Sequence, residues 1–250
     1  MNNKFFKKII SIFGYKLVNK NYFKNNKIIS EKSYLQIELI LKNLFERNKI
    51  KSLIQIGAND GLLFDVLNQY IKKFNPSSVL IEPVLENFEK LKKNYNNLEN
   101  VKFENSAISV NNEITFLYKV KPSKIHYYDK HILGITSFNK NHLLEHGVKN
   151  LHITKETVQC ISIEKLLIKY SINKLDLLFI DAEGYDSKII YDFFENSLLR
   201  PIIIFEYIHC DNNFFCKLIN RLNEINYIYF SINENLIGFP IENKHLIYFN

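Results

Sequence analysis

Acids, amides and one imidazole follow the apolar runs of this chain at positions where they could work together. Leu53-Ile54-Gln55-Ile56 leads into Gly57-Ala58-Asn59-Asp60-Gly61, and Leu80-Ile81 ends in Glu82. Val101 to Glu104 leads into Asn105-Ser106-Ala107. Leu175 to Ile180 ends in Asp181-Ala182-Glu183-Gly184, and Pro201 to Phe205 ends in Glu206-Tyr207-Ile208-His209. If these runs are parallel strands, ligands bind beyond their carboxyl ends. Glu82, Asp181, Glu183, Glu206 and His209 would then share one rim. A carboxylate there can accept the two hydroxyls of a ribose, and a carboxylate or imidazole can take a proton from a reacting hydroxyl. Acids at strand ends also cap the next helix, and that reading stands beside the chemical one for each of them.

The first turn narrows the ligand. Gly57 and Gly61 are four apart after a strand, and Glu82 lies 21 residues past Gly61, the layout of half a nucleotide-binding α/β sheet. Without a Cβ, Gly57 allows a sharp turn and Gly61 a close approach of backbone to ligand. A dinucleotide turn usually carries a glycine where Asn59 stands. A pyrophosphate needs the backbone closer than asparagine permits, so an adenosyl ligand without phosphate, such as S-adenosylmethionine (SAM), fits better.

These groups need a framework. The periodicity predicts a helix over 33–48, a strand over 51–56, a helix over 61–74, a strand over 78–82 and a helix from 84 to about 97 entered at Pro83. A short strand at 101–104 and an alternating edge strand at 113–120 follow. A strand at 156–161 precedes a helix capped by Ser162. Beyond the strand at 175–180 come helices near 185–196 and 213–224, the strand at 201–205, and two last strands at 226–231 and 244–249. Alternating strands and helices imply an α/β fold with one parallel sheet covered on both faces. Residues 121–152 break the pattern and are longer than an ordinary connection, so a substrate-facing lid is expected there. They hold His126, His131, His142 and His146, whose spacings lack supporting cysteine or acid ligands, so no metal site is expected from them. A divalent ion held by the rim carboxylates stays open.

The ordered set IGANDG, IEPVLENFEKLKKN, NSAIS, LDLLFIDAEGYDSKII and IIIFEY, over residues 50 to 210, resembles the FkbM family of SAM-dependent methyltransferases. Members commonly carry an acid where Gln55 stands. The resemblance implies a Rossmann-like class I methyltransferase sheet, mostly parallel with about seven strands, and O-methylation of hydroxyls on sugars, glycans or other small metabolites. It also implies that Gly57, Asn59 and Gly61 lie along the methionine part of SAM and that Glu82 holds the ribose. Asn105, Ser106 and Ala107 would border the adenine, and Asp181 would stand near the sulfonium. For positioning or base work, Asp181 and Glu183 come first and His209 third. Two other readings remain: a nucleotide-dependent oxidoreductase or epimerase, and a methyltransferase-like module that binds without catalysing.

Length and charge set the outer bounds. At 250 residues and 46% hydrophobic the chain suits one full α/β domain, here 31–250. Residues 1–30 carry seven lysines and no acid, which accounts for the whole net charge of +7. The remainder is neutral, which argues against a nucleic-acid partner, since such a protein spreads basic charge over its working domain. Phe5, Phe6, Ile9, Ile10, Ile12 and Phe13 alternate with those lysines, so the segment could pack on the sheet or reach an anionic membrane or a protein partner. Three cysteines without a Cys-x-x-Cys pair fit a reducing cytoplasm.

Overall fold

The computed structural model describes residues 37–246 except 48, 64, 110–113, 130, 131 and 133. The basic segment 1–30 and His131 lie outside the described residues, as do the side chains of 244–246. Seven strands make the main sheet: β1 (Ser52–Ile56), β2 (Ser77–Ile81), β3 (Val101–Glu104), β7 (Leu177–Ile180), β8 (Ile202–Glu206), β9 (Tyr227–Ile232) and β10 (Asn235–Pro240). Their order is β3-β2-β1-β7-β8-β10-β9. β1 pairs in parallel with both β2 and β7, while β10 runs antiparallel to β8 and β9. This is the mostly parallel, Rossmann-like sheet expected from the sequence.

The strand sequences explain why both faces are covered. β7 is buried at all four positions, and its alternate residues serve different cores. Leu53, Leu80, Leu177, Phe179, Ile202 and Ile204 pack with helices α1 (Ile37–Glu46), α2 (Asn68–Phe74) and α3 (Leu85–Asn94). Ile54, Ile56, Leu178, Ile180, Ile203 and Phe205 pack on the other side, with α5 (Ile163–Lys169), α6 (Asp186–Asn196) and α7 (Asn212–Glu224). Successive strand side chains point to opposite faces, so a continuous apolar run fits only between two helical layers.

Three expected boundaries move, each for a local reason. The helix expected over 61–74 begins at Asn68, because Asp60 first accepts bonds from the Leu62 and Leu63 amides and holds a turn. Among the described residues the last strand is β10, and 247–249 of the strand expected at 244–249 lie outside them. Asn233, at φ +52°, turns the chain straight back after β9, and 241–246 form a 3₁₀ turn. Residues 121–152 are not featureless. They lie between β5 (Ile114–Val120) and β6 (Ile153–Ile161), which with β4 (Ala107–Ile108) form a second, three-stranded sheet. The segment contains α4 (Lys140–Glu145), and Val120, Ile132, Ile135, Leu143, Val148 and Ile153 give it a small core of its own. Tyr118 and Ser137 exchange both backbone bonds, tying it to the edge of β5. Among the described residues, no helix is long and apolar enough to cross a membrane.

Candidate active site

The parallel strands bring the carboxyl ends of β1, β2, β7 and β8 to one edge of the sheet. Gly57 leaves β1 at φ +81°, and a Cβ there would fall on the Asp181 carbonyl oxygen. Glycine is therefore required twice, by the backbone angle and by the contact between two strand ends. The Gly57 and Ala58 amides both donate to the Ile81 carbonyl, at 3.0 and 2.9 Å. Glu82 then fastens the next turns: its Oε2 accepts from the Asn59 amide at 2.9 Å and its Oε1 from the Val84 amide at 2.8 Å. Burial pushes its carboxyl up to about 7, against the pull of those two amides. Each oxygen keeps a further lone pair for a ligand hydroxyl.

Between these turns lies a cavity of about 330 Å³. Its described lining contains six carboxylates (Asp65, Glu82, Asp181, Glu183, Glu206 and Glu234) and no lysine, arginine or histidine. The consequence shows in the acids themselves. Burial, with Glu183 and Asp186 next, pushes Glu206 up to about 7. Asp181 has an exposed surface because it opens onto the cavity, yet protein surrounds it. Burial and then the charges of Glu183, Asp186, Glu206 and Glu82 hold its carboxyl well above the ordinary range. A second signal comes from Gln55, also in the lining. Its Nε2 donates to Asp65 Oδ1 at 3.0 Å, while its Oε1 is buried without a partner among the described residues. An orphaned acceptor beside uncompensated acids suits a ligand that brings positive charge and N–H donors.

The turn after β7 is built to present its acids. Asp186, fully buried, accepts from the Ala182 amide with Oδ1 at 3.2 Å and from the Gly184 amide with Oδ2 at 3.1 Å. Asp186 thus pins the turn, and the Asp181 carboxylate is left for the cavity. Glu183 sits at φ +50°, a strained angle for a residue with a Cβ. Its carbonyl accepts from Ser137 Oγ at 3.0 Å, and its Oε2 meets His142 Nε2 at 2.7 Å.

The residues singled out from sequence divide into two groups. Gly57, Asn59, Glu82, Ser106, Ala107, Asp181 and Glu183 all line the cavity. Gly61, Asn105 and His209 do not. A Cβ on Gly61 would lie 2.5 Å from both Leu91 and Tyr95, so this glycine makes room for α3 and its packing residues rather than for a ligand. Asn105 spends its amide on the Glu82 and Pro83 carbonyls, at 2.8 and 3.1 Å, and braces the end of β2. The His209 ring turns away to His142 and His146. Asp65 was hidden in a segment read as helix. Its role follows from Gln55: the strand lacks an acid, and Asp65 supplies one from the turn ten residues on.

The double duty of Glu82 sets an expected result. Glu82→Ala leaves the half-buried Asn59 amide and the buried Val84 amide unpaired, at up to about 1–3 kcal/mol for each orphaned donor. Glu82→Gln keeps one acceptor oxygen and should retain more of the fold. Denaturant melts of the two variants, with wild type, check this ordering.

A family model described as "Methyltransferase FkbM domain" matches residues 55–229. Among solved structures, the O-methyltransferase from Bacillus cereus in complex with SAH is similar over 93% of this chain and 94% of its own, at 10% identity and a TM-score of 0.40. Fibrillarin from a complex with Nop5p matches over 77% and 74%, at 11% identity and a TM-score of 0.40. A human methyltransferase 10 domain containing protein matches over 80% and 79%, at 14% identity and a TM-score of 0.41. No curated protein matches the sequence.

Proposed function

The chain belongs to the FkbM methyltransferase family, and from that premise we propose that it uses SAM to methylate a hydroxyl of a sugar, glycan or other small metabolite. The observation that carries the cofactor is the acidic cavity with the orphaned Gln55 oxygen. SAM supplies an activated methyl on a sulfonium, and its ammonium brings further positive charge. Gln55 Oε1 and Asp65 would receive the ammonium, Asn59 and Gly57 would follow the methionine part, and Glu82 would accept the ribose hydroxyls. Ser106 and Ala107 would border the adenine. A pyrophosphate cofactor, as an oxidoreductase or epimerase requires, would meet six carboxylates of its own sign.

An alcohol is a poor nucleophile, so the acceptor must lose its proton as its oxygen forms the new bond. Holding that oxygen in line with the transferring methyl supplies much of the rate. A carboxylate whose affinity for protons has been raised towards neutrality is a better base than an ordinary one. Asp181 and Glu183 face the cavity from β7, and Glu206 from β8. We assign proton acceptance to Asp181, with Glu183 and Glu206 orienting the acceptor. The acceptor enters past Thr136 and Phe138 of the 121–152 segment, which line the same cavity. A small-molecule acceptor suits this enclosure. Any membrane or protein contact falls to the basic segment 1–30, and a cytoplasmic location agrees with three free thiols.

Isothermal titration with SAM and S-adenosylhomocysteine tests the reading, and a chain that binds neither removes it. The acids also predict how binding varies with pH. Glu82 and Glu206 are raised to about 7 from 4.5, so the ligand-free fold prefers them protonated. Their contribution to stability is complete below about pH 4.5 and is lost as pH rises to about 7. A cationic ligand favours their ionised forms. SAM should therefore bind more tightly at pH 8 than at pH 6 and release protons on binding, seen as a heat that depends on the buffer. An affinity independent of pH over that interval would contradict the assignment.

A further inference from the structure

Beside the cavity, three imidazoles meet from two separate parts of the chain. His142 lies in α4, and His146 is one helical turn later, its amide donating to the His142 carbonyl at 3.2 Å. His209 comes from the turn after β8, brought in against Gly184, where a Cβ would lie 2.7 Å from the His209 carbonyl oxygen. The ring centres are 4.6 Å apart for His142 with His146 and for His142 with His209, and 5.2 Å for His146 with His209. One nitrogen from each ring lies within 4.8 Å of the others.

We propose that His142, His146 and His209 bind one divalent transition ion of the zinc class at the edge of the cavity. Nitrogens held at ~2.0–2.1 Å from a tetrahedral ion stand ~3.3 Å apart, with ring centres ~5 Å apart. The ring centres already have that spacing, and side-chain rotation brings the nitrogens together. Two histidines four apart on one helical turn are a recurrent half of such a site. The outer contacts suit it as well. His142 gives Nε2 to Glu183 at 2.7 Å, which leaves Nδ1 to face an ion, and a carboxylate on the far nitrogen is the usual partner of a metal-bound imidazole. Glu206 Oε1 stands 3.7 Å from His209 Nε2. Imidazoles suit zinc, nickel and copper, not magnesium or calcium. Three ligands leave a fourth position open, as in catalytic zinc sites.

The site itself stands on this geometry. Its use rests on the methyl-transfer reading: Glu183 and Glu206 border both the cavity and the histidines, so an ion there would fix both carboxylates and offset their charge where they orient the acceptor.

The test uses the untagged, chelator-stripped full chain titrated with Co²⁺ and followed by visible absorption. Expected is one equivalent per chain, with the intense bands of four- or five-coordinate cobalt and competition by Zn²⁺. His146→Ala and His209→Ala should each weaken uptake by more than about 100-fold, and Glu183→Gln by about 10–100-fold. Thermal melts without metal report whether each variant folds. Saturable uptake by wild type at one equivalent decides the matter even if a variant does not fold. Absence of that uptake, or uptake unchanged in both folded histidine variants, overturns the proposal. SAM titrated into the same sample separates the two readings. SAM binding without cobalt uptake ends the metal site alone, and cobalt uptake without SAM binding ends the methyl-transfer role alone.

Discussion

Asp181→Asn should cut methyl transfer by about 10²–10⁴-fold, the range for losing a positioned proton acceptor, and leave the ligand-free protein at least as stable as wild type. The two halves of this expectation have one cause. Asp181 stands among four other acids with its proton affinity raised by burial and by their charge, so its ionised form is costly to the empty fold. Asparagine has nearly the same shape and no charge, and removes that repulsion. The turn keeps its shape because Asp186, not Asp181, holds the Ala182 and Gly184 amides. Transfer of labelled methyl from SAM to a panel of sugar and glycan acceptors reads the first half, and a thermal melt reads the second. A variant that unfolds while its folded remnant keeps full activity would show that Asp181 is structural.

Gly57→Ala should be more damaging than alanine at any other described glycine. The added methyl meets the Asp181 carbonyl, which β7 cannot withdraw because its neighbours β1 and β8 hold it on both sides. Overpacking of this kind costs about 1–3 kcal/mol, and the left-handed backbone angle costs a non-glycine residue about 1–2 kcal/mol more. Relief would push the ends of β1 and β7 apart at the point where the cavity is formed. SAM affinity should therefore fall even in chains that fold. Chemical denaturation and SAM titration of the variant measure the two effects, and normal values for both would contradict this account of the turn.

How much of this was legible in the sequence depends on the range of the interaction. Strands such as Leu177–Ile180 and Ile202–Phe205 declare themselves because both faces must be apolar, and the acids that follow them are placed by the strand ends alone. The Ser162 cap is likewise local, and its hydroxyl accepts from the Lys165 amide. What local pattern does not carry is which loops meet. The third imidazole beside His142 and His146, His209, is 63 residues beyond His146. Gly61 and Asn105 have residue types suited to a ligand, yet each is used by a neighbouring element: Gly61 by α3, Asn105 by the Glu82 and Pro83 carbonyls. The pattern also gives no sign of the strand at Asn235–Pro240, which contains Gly238 and Pro240. Both sit in β10, where a Cβ on Gly238 would crowd Ile203 at 2.8 Å.

The position of β10 bears on how a nascent chain reaches this architecture. β8 precedes β10 in the chain and lies next to β7, but its opposite side waits for Asn235–Pro240, which slot between β8 and β9. Until residue 240 has left the ribosome, the apolar backbone edge at Ile202–Phe205 stays unsatisfied. Such an edge recruits strands from other chains. A chain ended short of Asn235 would keep that edge open, whereas one that finishes the hairpin covers β8 and leaves β9 at the edge of the sheet.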